Sequence, residues 1–456
     1  MILELKEGRR ELSAAEGTSD RPSSPPEPLE RVITEPANAR WLGMKAGYVL
    51  LDGCGDRPCP ALNYTTPLEA AYTPNMDETA RRSRLGSVTT VRRGVAPESD
   101  IAVFNMLGYS FERGYPGRGV VEAVGSGLEV HPGDLALRAN FASVKGRKIV
   151  DRRAGRDLTQ EEAEALAEDI SRIELSGADF DFRATVSYRG VLVIRASGRL
   201  SAEVTNTDPA YAKVGGFGAA KKTTAEESVL TCEPESKSEP ARRSAALVNE
   251  FTAKSIGALA RSGVNERRVR EGRLPANCVL LRDPGDHLPD TRSFSQMYGM
   301  NGTALVEMPA EVGIAKLIGM KMVKIRDRHD LKEKARLFSS ELKEGTVVYV
   351  HLKGPDEFGH DGDAVGKKRS IESIDSEFFS EVAATLDRTT VGVSCDHATP
   401  CTIKMHSADP VPLMVTTNGR GDSLRFTEAN SLKGSIGRMM GRDVLRSVLS
   451  GTFATT

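Results

Sequence analysis

The feature that most limits how this chain can fold is an alternation in its C-terminal third, where GTVVYVHLKG (345–354) and TTVGVSCDH (389–397) bracket RSIESIDSEFFSEVAATL (369–386). The outer runs are almost wholly apolar, as strands covered on both faces are. In the middle segment Ile371, Ile374, Phe378 and Val382 recur at helical spacing and form one apolar stripe. Strand alternating with helix implies a parallel sheet with helices on both faces. AGYVLLDGCGD (46–56) reads as a further buried strand that stops at Asp52-Gly53. After it Pro74 suits the first turn of a short helix, and Ser99 stands just before an apolar run of helical character.

A length of 456 residues favours two or three domains. Residues 1–40 are rich in Pro, Ser, Glu and Arg and poor in aliphatics, so they read as a disordered extension. Residues 41–154 read as the first part of a catalytic core. From 155 to 285 the texture changes: LTQEEAEALAEDISRI is an amphipathic helix, FRATVSYRGVLVIRASG alternates like a hairpin, and GGFGAAKKTTAEESVLTCEPESKSEPARR is a long polar loop. That is the content of an inserted α+β domain, and residues 286–456 return to the core. No apolar run approaches the roughly 18 residues needed to cross a bilayer. With 62 basic against 63 acidic residues, nothing points to nucleic acid or an anionic membrane. Six Cys in so long a chain, without small-scaffold spacing, fit reduced thiols and a cytoplasmic setting.

In an open α/β sheet functional groups gather beyond the C-terminal ends of the strands. Three apolar runs here end in metal-competent groups: Asp52 after YVLLD; Asp356 and His360 just past GTVVYVHLKG; Asp396 and His397 at the end of VGVSCDH, with His406 in the loop beyond. Of seven His in the chain, four (His351, His360, His397, His406) fall between 351 and 406, which favours a site over scattered core imidazoles. His351, inside its strand, reads as a packed or hydrogen-bonded histidine, and Asp361 and Asp363 as solvated turn residues. Cys395 and Cys401 read as small apolar neighbours, since their spacing is not that of a thiolate site. Asp, His and hydroxyl ligands suit Mn, Mg, Co or Zn. Ser99 at a helix start would have its hydroxyl among free N–H groups, where a phosphoryl group can rest, and a nearby cation would make it a nucleophile; the plain alternative is an N-cap. Arg118, Arg138, Arg152, Arg153, Arg156 and Arg282 offer guanidinium clamps for carboxylate and phosphate, or singly are surface cations. Neither KVGGFGAAKK nor GDAVGKKR completes a dinucleotide turn or a P-loop, so no nucleotide is expected.

The ordered series LLDGCGDRP, TPNMD, PESD, YPGRGVVEAVGSGLEVHPGDLALRANFASV, VDRRAGR, LPANCVLLR, PDEFGHDGD and CDHATPCTIKMHSADPVPLMV resembles the archaeal-type cofactor-independent phosphoglycerate mutases of the alkaline phosphatase superfamily. The resemblance runs from about residue 45 to the C-terminus. It implies an alkaline-phosphatase-like core, a mainly parallel sheet flanked by helices, interrupted by a domain that closes over the substrate. It further implies two divalent ions, manganese first, one held by Asp52, Ser99, Asp396 and His397 and the other by Asp356, His360 and His406. Ser99 would take the phosphoryl group from one hydroxyl of glycerate and return it to the other, with no bisphosphoglycerate. Arg118, Arg138, Asp151, Arg152, Arg153 and Arg282 would hold substrate carboxylate and phosphate, and Lys334 would contact the phosphoryl group. The sequence departs from the pattern at Glu98, where a Gly usually precedes the nucleophile, and at VKIRDRHDLKEK (323–334), which replaces a segment containing Ala-Thr-Gly. A phosphatase or phosphonate hydrolase on the same core, or a catalytically silent phosphoglycerate binder, are the alternatives, and oligomeric state stays open.

Overall fold

The computed structural model describes residues 41, 43–111, 114–214, 217–220, 227–327, 329–386, 388–416 and 421–453; the N-terminal extension expected over 1–40 lies outside them. The strands in chain order are β1 Lys45–Leu51, β2 Ser83–Thr89, β3 Leu135–Lys145, β4 Lys148–Asp151, β5 Ala178–Ala184, β6 Arg189–Ala196, β7 Tyr211–Val214, β8 Phe217–Ala220, β9 Cys278–Gly285, β10 Asn301–Leu305, β11 Lys321–Met322, β12 Thr346–Leu352, β13 Thr390–Cys395, β14 Val411–Thr416 and β15 Gly437–Met440. Eight of them form one sheet in the order β11-β10-β12-β1-β13-β14-β2-β15. β1 pairs in parallel with both β12 and β13, and β14 alone runs against its neighbours. This is the mainly parallel α/β core read from the sequence.

Beyond their first residues the central strands are buried throughout, which explains their apolar character. The stripe Ile371, Ile374, Phe378 and Val382 is buried against this sheet's core. Its helix is continuous only through one wide turn at Asp375–Phe379, which joins Ala364–Ile374 to Ser380–Leu386. There the buried Asp375 carboxylate accepts from the backbone N–H groups of Asn75 (3.3 Å) and Met76 (2.7 Å) and so caps the helix Pro74–Arg81.

A second sheet, β4-β3-β6-β5 with β9 against β3, carries its own apolar cluster around Leu137, Phe141, Leu192, Ile194, Phe251 and Leu281. The expected amphipathic helix is Gln160–Ser171, started by a reciprocal Thr159–Glu162 capping box, and the expected hairpin is β5 with β6. Sheet membership draws β3 and β4 into this unit, ahead of residue 155 where the sequence reading opens the insert. The polar stretch read as a loop instead holds β8 and the start of the helix Glu239–Leu259, whose N-cap Ser238 accepts from Ala241 N–H at 3.2 Å.

Register fixes what matters for chemistry. Leu51 of β1 lies opposite Leu352 and Cys395, so one step further on Asp52, Lys353 and Asp396 leave the sheet side by side.

Candidate active site

At the end of β1 the chain turns through Gly53, whose N–H donates to Asp396 Oδ1 at 3.0 Å; His397 N–H donates to the same oxygen at 3.0 Å. Both donors fix one side of Asp396 and leave Oδ2 facing inward. Asp396 Oδ2 and Asp52 Oδ1 are buried and accept no hydrogen bond from the described residues. They stand 3.2 Å and 3.7 Å from His397 Nε2, and Ser99 Oγ lies 3.0 Å from the same nitrogen. An unsatisfied buried acceptor costs about 1–3 kcal/mol, so two of them aimed at one imidazole and one hydroxyl fit a divalent cation with hard oxygen and nitrogen donors. Asp52, Asp396 and His397 form one group with metal-ligand spacing.

Asp356, His397 and His406 form a second. Asp356 lies in the first turn of the helix Pro355–Asp361 and His360 follows one turn later, so both project from one face. Asp356 Oδ2 is 3.5 Å from His360 Nε2, and Oδ1 is 3.6 Å from His406 Nε2. Behind the rings, His406 Nδ1 meets Pro97 O at 2.7 Å and His360 Nδ1 meets Lys404 O at 3.2 Å. These carbonyls require a proton on Nδ1, so in the neutral ring Nε2 is the nitrogen that carries the lone pair and can ligate. Thr399 joins the two groups: its hydroxyl donates to Asp356 Oδ1 at 2.6 Å and lies 3.1 Å from His397 Nδ1.

The electrostatics follow from burial and mutual proximity. Burial first, and then the charges of Asp396 and Asp356, push the Asp52 carboxyl up to about 7, with Lys353 opposing. Burial disfavours charge on Asp396 as well, yet His397 and His351 hold it below the usual carboxylate range. The rings of His397 and His406 stack 3.8 Å apart, and both cannot carry charge. Burial and His406 bring His397 down to about 4, whereas Asp356 outweighs burial and lifts His406 to about 10.

Ser99 is the first residue of the helix Ser99–Met106; the N-cap is Glu98, and the Ser99 hydroxyl turns to His397 instead of capping. From Glu98 an alternating chain of charges leads to the second sheet. Arg118 pairs with Glu98 (2.8 Å) and Glu122 (2.9 Å), and Arg138 with Glu122 (2.9 Å) and Asp283 (3.0 Å). Arg282 lies 3.5 Å from Asp283 and 3.3 Å from Asp208, which Arg152 grips with both nitrogens at 3.0 and 2.9 Å. Four of the arginines singled out from sequence thus share one network. Arg153 lies over the Tyr188 ring at 6.0 Å. Asp151 faces its own turn, accepting from the N–H groups of Arg153 (2.6 Å) and Gly155 (3.1 Å), where Ala154, Gly155 and Arg156 all take positive φ. Lys334 is fully buried and donates at 2.6 Å to Oε1 of Glu307, a residue just after β10.

Sequence reasoning did not single out Lys353, Glu311, Thr399 or Lys367. Lys353 Nζ lies 3.1 Å from Asp52 Oδ2 and is paired with Glu311. His351, read as packed, is buried with its nitrogens 3.4 Å from Glu311 and 3.5 Å from Asp396. Asp363 caps the helix Ala364–Ile374 through Gly366 N–H at 2.8 Å. A third acidic and thiol group, Asp56, Cys59 and Cys401, already encloses a cation: the fully buried Lys367 Nζ donates to Asp56 Oδ2 (2.8 Å), Gly55 O (3.1 Å) and Thr399 O (2.9 Å). The signal for Lys353 was its place one residue beyond a strand, level with Asp52. Lys367 gave no such signal.

Residues 80–265 match a family model described as PhosphMutase, 2,3-bisphosphoglycerate-independent phosphoglycerate mutase. The 2,3-bisphosphoglycerate-independent phosphoglycerate mutase of Aeropyrum pernix is 41% identical over 421 residues, spanning 87% of this chain and 97% of the relative. That of Methanopyrus kandleri is 39% identical over 417 residues, spanning 89% and 95%. Among solved structures, the cofactor-independent phosphoglycerate mutase from Thermoplasma acidophilum superposes with a TM-score of 0.58 at 29% identity, covering 89% of this chain and 99% of that one. A Pyrococcus horikoshii protein superposes with a TM-score of 0.71 at 26% identity, covering 91% and 100%.

Proposed function

Since the chain belongs to the 2,3-bisphosphoglycerate-independent phosphoglycerate mutases, we propose that it interconverts 2-phosphoglycerate and 3-phosphoglycerate through a phosphoserine at Ser99. The enzyme is then an isomerase of that family, acting on a small anionic substrate in glycolysis and gluconeogenesis. One observation carries the assignment of the nucleophile: Ser99 Oγ, at 3.0 Å from His397 Nε2, shares that nitrogen with two buried carboxylate oxygens that have no hydrogen-bond donor among the described residues.

Asp52, Ser99, Asp396 and His397 would hold one divalent ion, and Asp356, His360 and His406 a second; manganese is the first candidate. When bound, such ions lower the pKa of a coordinated hydroxyl and neutralise phosphoryl oxygens. The Ser99 hydroxyl gives up its proton and Oγ forms a bond to phosphorus as the bond from phosphorus to one glycerate oxygen breaks, and that oxygen takes a proton. The glycerate, still bound, then presents its other hydroxyl, which gives up its proton and attacks phosphorus, and Ser99 Oγ leaves and takes up a proton. No water enters either step. The arginine network supplies the charge that keeps glycerate in place between them, exchanging carboxylate partners within the protein for those of the substrate. Arg152 and Arg282, gathered on Asp208 beside the second sheet, and Arg118, paired with the neighbour of Ser99, would bind opposite ends of one small molecule.

No helix among the described residues is long and apolar enough to cross a membrane, which is consistent with a cytoplasmic enzyme. Manganese-loaded protein supplied with 3-phosphoglycerate in an enolase-coupled assay should turn over; folded, metal-replete protein without turnover rejects the mutase assignment. Release of inorganic phosphate in place of the isomer would indicate a phosphatase.

A further inference from the structure

The side chain that most distinguishes the Asp52 half of the site is Lys353. It stands directly after β12, and the register of β12 with β1 and of β1 with β13 sets it level with Asp52 and Asp396. Its Nζ has two carboxylate partners, Asp52 Oδ2 at 3.1 Å and Glu311 Oε1. Glu311 sits in the first turn of the helix Pro309–Leu317, where the helix dipole favours a negative charge, and is almost completely buried. The imidazole of His351, two residues back on the same strand, closes the space behind at 3.4 Å from Glu311.

This arrangement breaks the symmetry of a carboxylate. A lone Asp52 could present either oxygen to the cavity by rotating about its terminal torsion, a soft and roughly two-fold motion. With Oδ2 held by an ammonium that is itself anchored, Oδ1 is the oxygen left without a donor among the described residues, and with Asp396 Oδ2 it lies between His397 Nε2 (3.7 and 3.2 Å) and His351 Nε2 (3.8 and 3.5 Å). Gly53 N–H does the corresponding work for Asp396 by occupying its Oδ1. Lys334 is engaged elsewhere, with Glu307. Lys353, by contrast, meets a proposed ligand directly, at 3.1 Å from Asp52 Oδ2.

We propose that Lys353, anchored by Glu311, is a positioning residue that fixes Asp52 by its Oδ2 oxygen and so presets the ion site formed by Asp52, Ser99, Asp396 and His397. The proposal rests on the two-ion reading above. It is tested on full-length protein stripped with chelator and titrated calorimetrically with manganese, comparing wild type with K353M, K353R and E311Q, each checked by near-ultraviolet circular dichroism. The wild type should take up two ions per chain. K353M should bind one of them about 10- to 100-fold more weakly, the usual effect of losing a partner behind a ligand, with the other unchanged. K353R, which keeps the charge, should recover most of that affinity, and E311Q should lose part of it. In the coupled assay kcat should fall while KM for 3-phosphoglycerate stays near its original value.

If K353M loses its tertiary spectrum, E311Q carries the same comparison. Wild-type affinity at both sites in the folded variants overturns the role given to Lys353. A wild-type protein that takes up no manganese overturns the ion-site reading itself, and the role of Lys353 with it.

Discussion

His360 and His406 face each other with their Nε2 atoms 3.2 Å apart, each ring held from behind by a backbone carbonyl. Two imidazole nitrogens turned toward one point beside the Asp356 carboxylate are joined most simply by a cation. Chelation is therefore expected to lower the melting temperature and manganese to restore it. At a free ion concentration a thousand times Kd the gain approaches about 4 kcal/mol per site. His406→Ala should bind one ion fewer by calorimetric titration. A melting temperature indifferent to chelator and manganese contradicts this.

Gly53 is required by geometry on two counts. Its φ is 56°, and a Cβ there would lie 2.5 Å from Asp356 Oδ1 and 2.7 Å from Thr399 Oγ1. Gly53→Ala is expected to cost about 1–2 kcal/mol for the left-handed backbone alone, with more for the displaced carboxylate. Chemical denaturation measures the first effect and manganese titration the second; a variant as stable and as tightly ion-bound as wild type contradicts the close approach.

Arg268 is fully buried and donates to Leu274 O (2.9 Å), Glu162 Oε2 (2.7 Å), Ala154 O (3.1 Å) and Asp157 Oδ1 (2.7 Å). It therefore pins the turn that carries Arg152 and Arg153. Arg268→Met leaves Glu162 with Arg273 (2.9 and 3.0 Å) as its remaining guanidinium and takes the donor from Ala154 O and Leu274 O, a loss of about 1–3 kcal/mol. KM should rise as the turn loosens, and Arg268→Lys should not restore it, since one ammonium cannot span four acceptors. An unchanged denaturation midpoint contradicts this account.

The same network makes stability depend on pH in a definite direction. Burial opposes the charge on Glu162 and Asp157, but the guanidinium groups of Arg268 and Arg273 hold both carboxyls below their ordinary values. A depressed folded pKa contributes stability that is fully present above the unfolded value, about 4. It is lost as pH falls through the lower folded value. Wild type should lose stability on acidification below about pH 4 more steeply than Arg268→Met, as thermal melts across that range would register; parallel curves contradict the linkage.

What the sequence disclosed and what it hid divide along physical lines. Apolar runs ending in Asp52 and Asp396 marked two strands and their business ends, and a helical stripe at Ile371, Ile374, Phe378 and Val382 marked the layer packed on them, because both signals are local periodicities. Pairing is not local. That β3 and β4 join the second sheet, that Lys334 finds Glu307 and that Lys353 finds Asp52 and Glu311 are decided by strand register and by the placing of helices. Glu311 lies in an unremarkable helix start, and no spacing rule ties it to residue 353. Arginines were legible as a class, but their joint pairing with Glu122, Asp208 and Asp283 emerges only when distant strands meet.

The central claim is that Ser99 carries the phosphoryl group. Manganese-loaded protein quenched in acid during turnover of 3-phosphoglycerate, then digested and measured by mass spectrometry, tests it directly. Phosphorylation of the peptide containing Ser99, absent from a folded Ser99→Ala variant that has lost at least about 10³-fold in kcat, is the expected result. An enzyme that turns over without a phosphoryl group on Ser99, or a Ser99→Ala variant that retains activity, would contradict it.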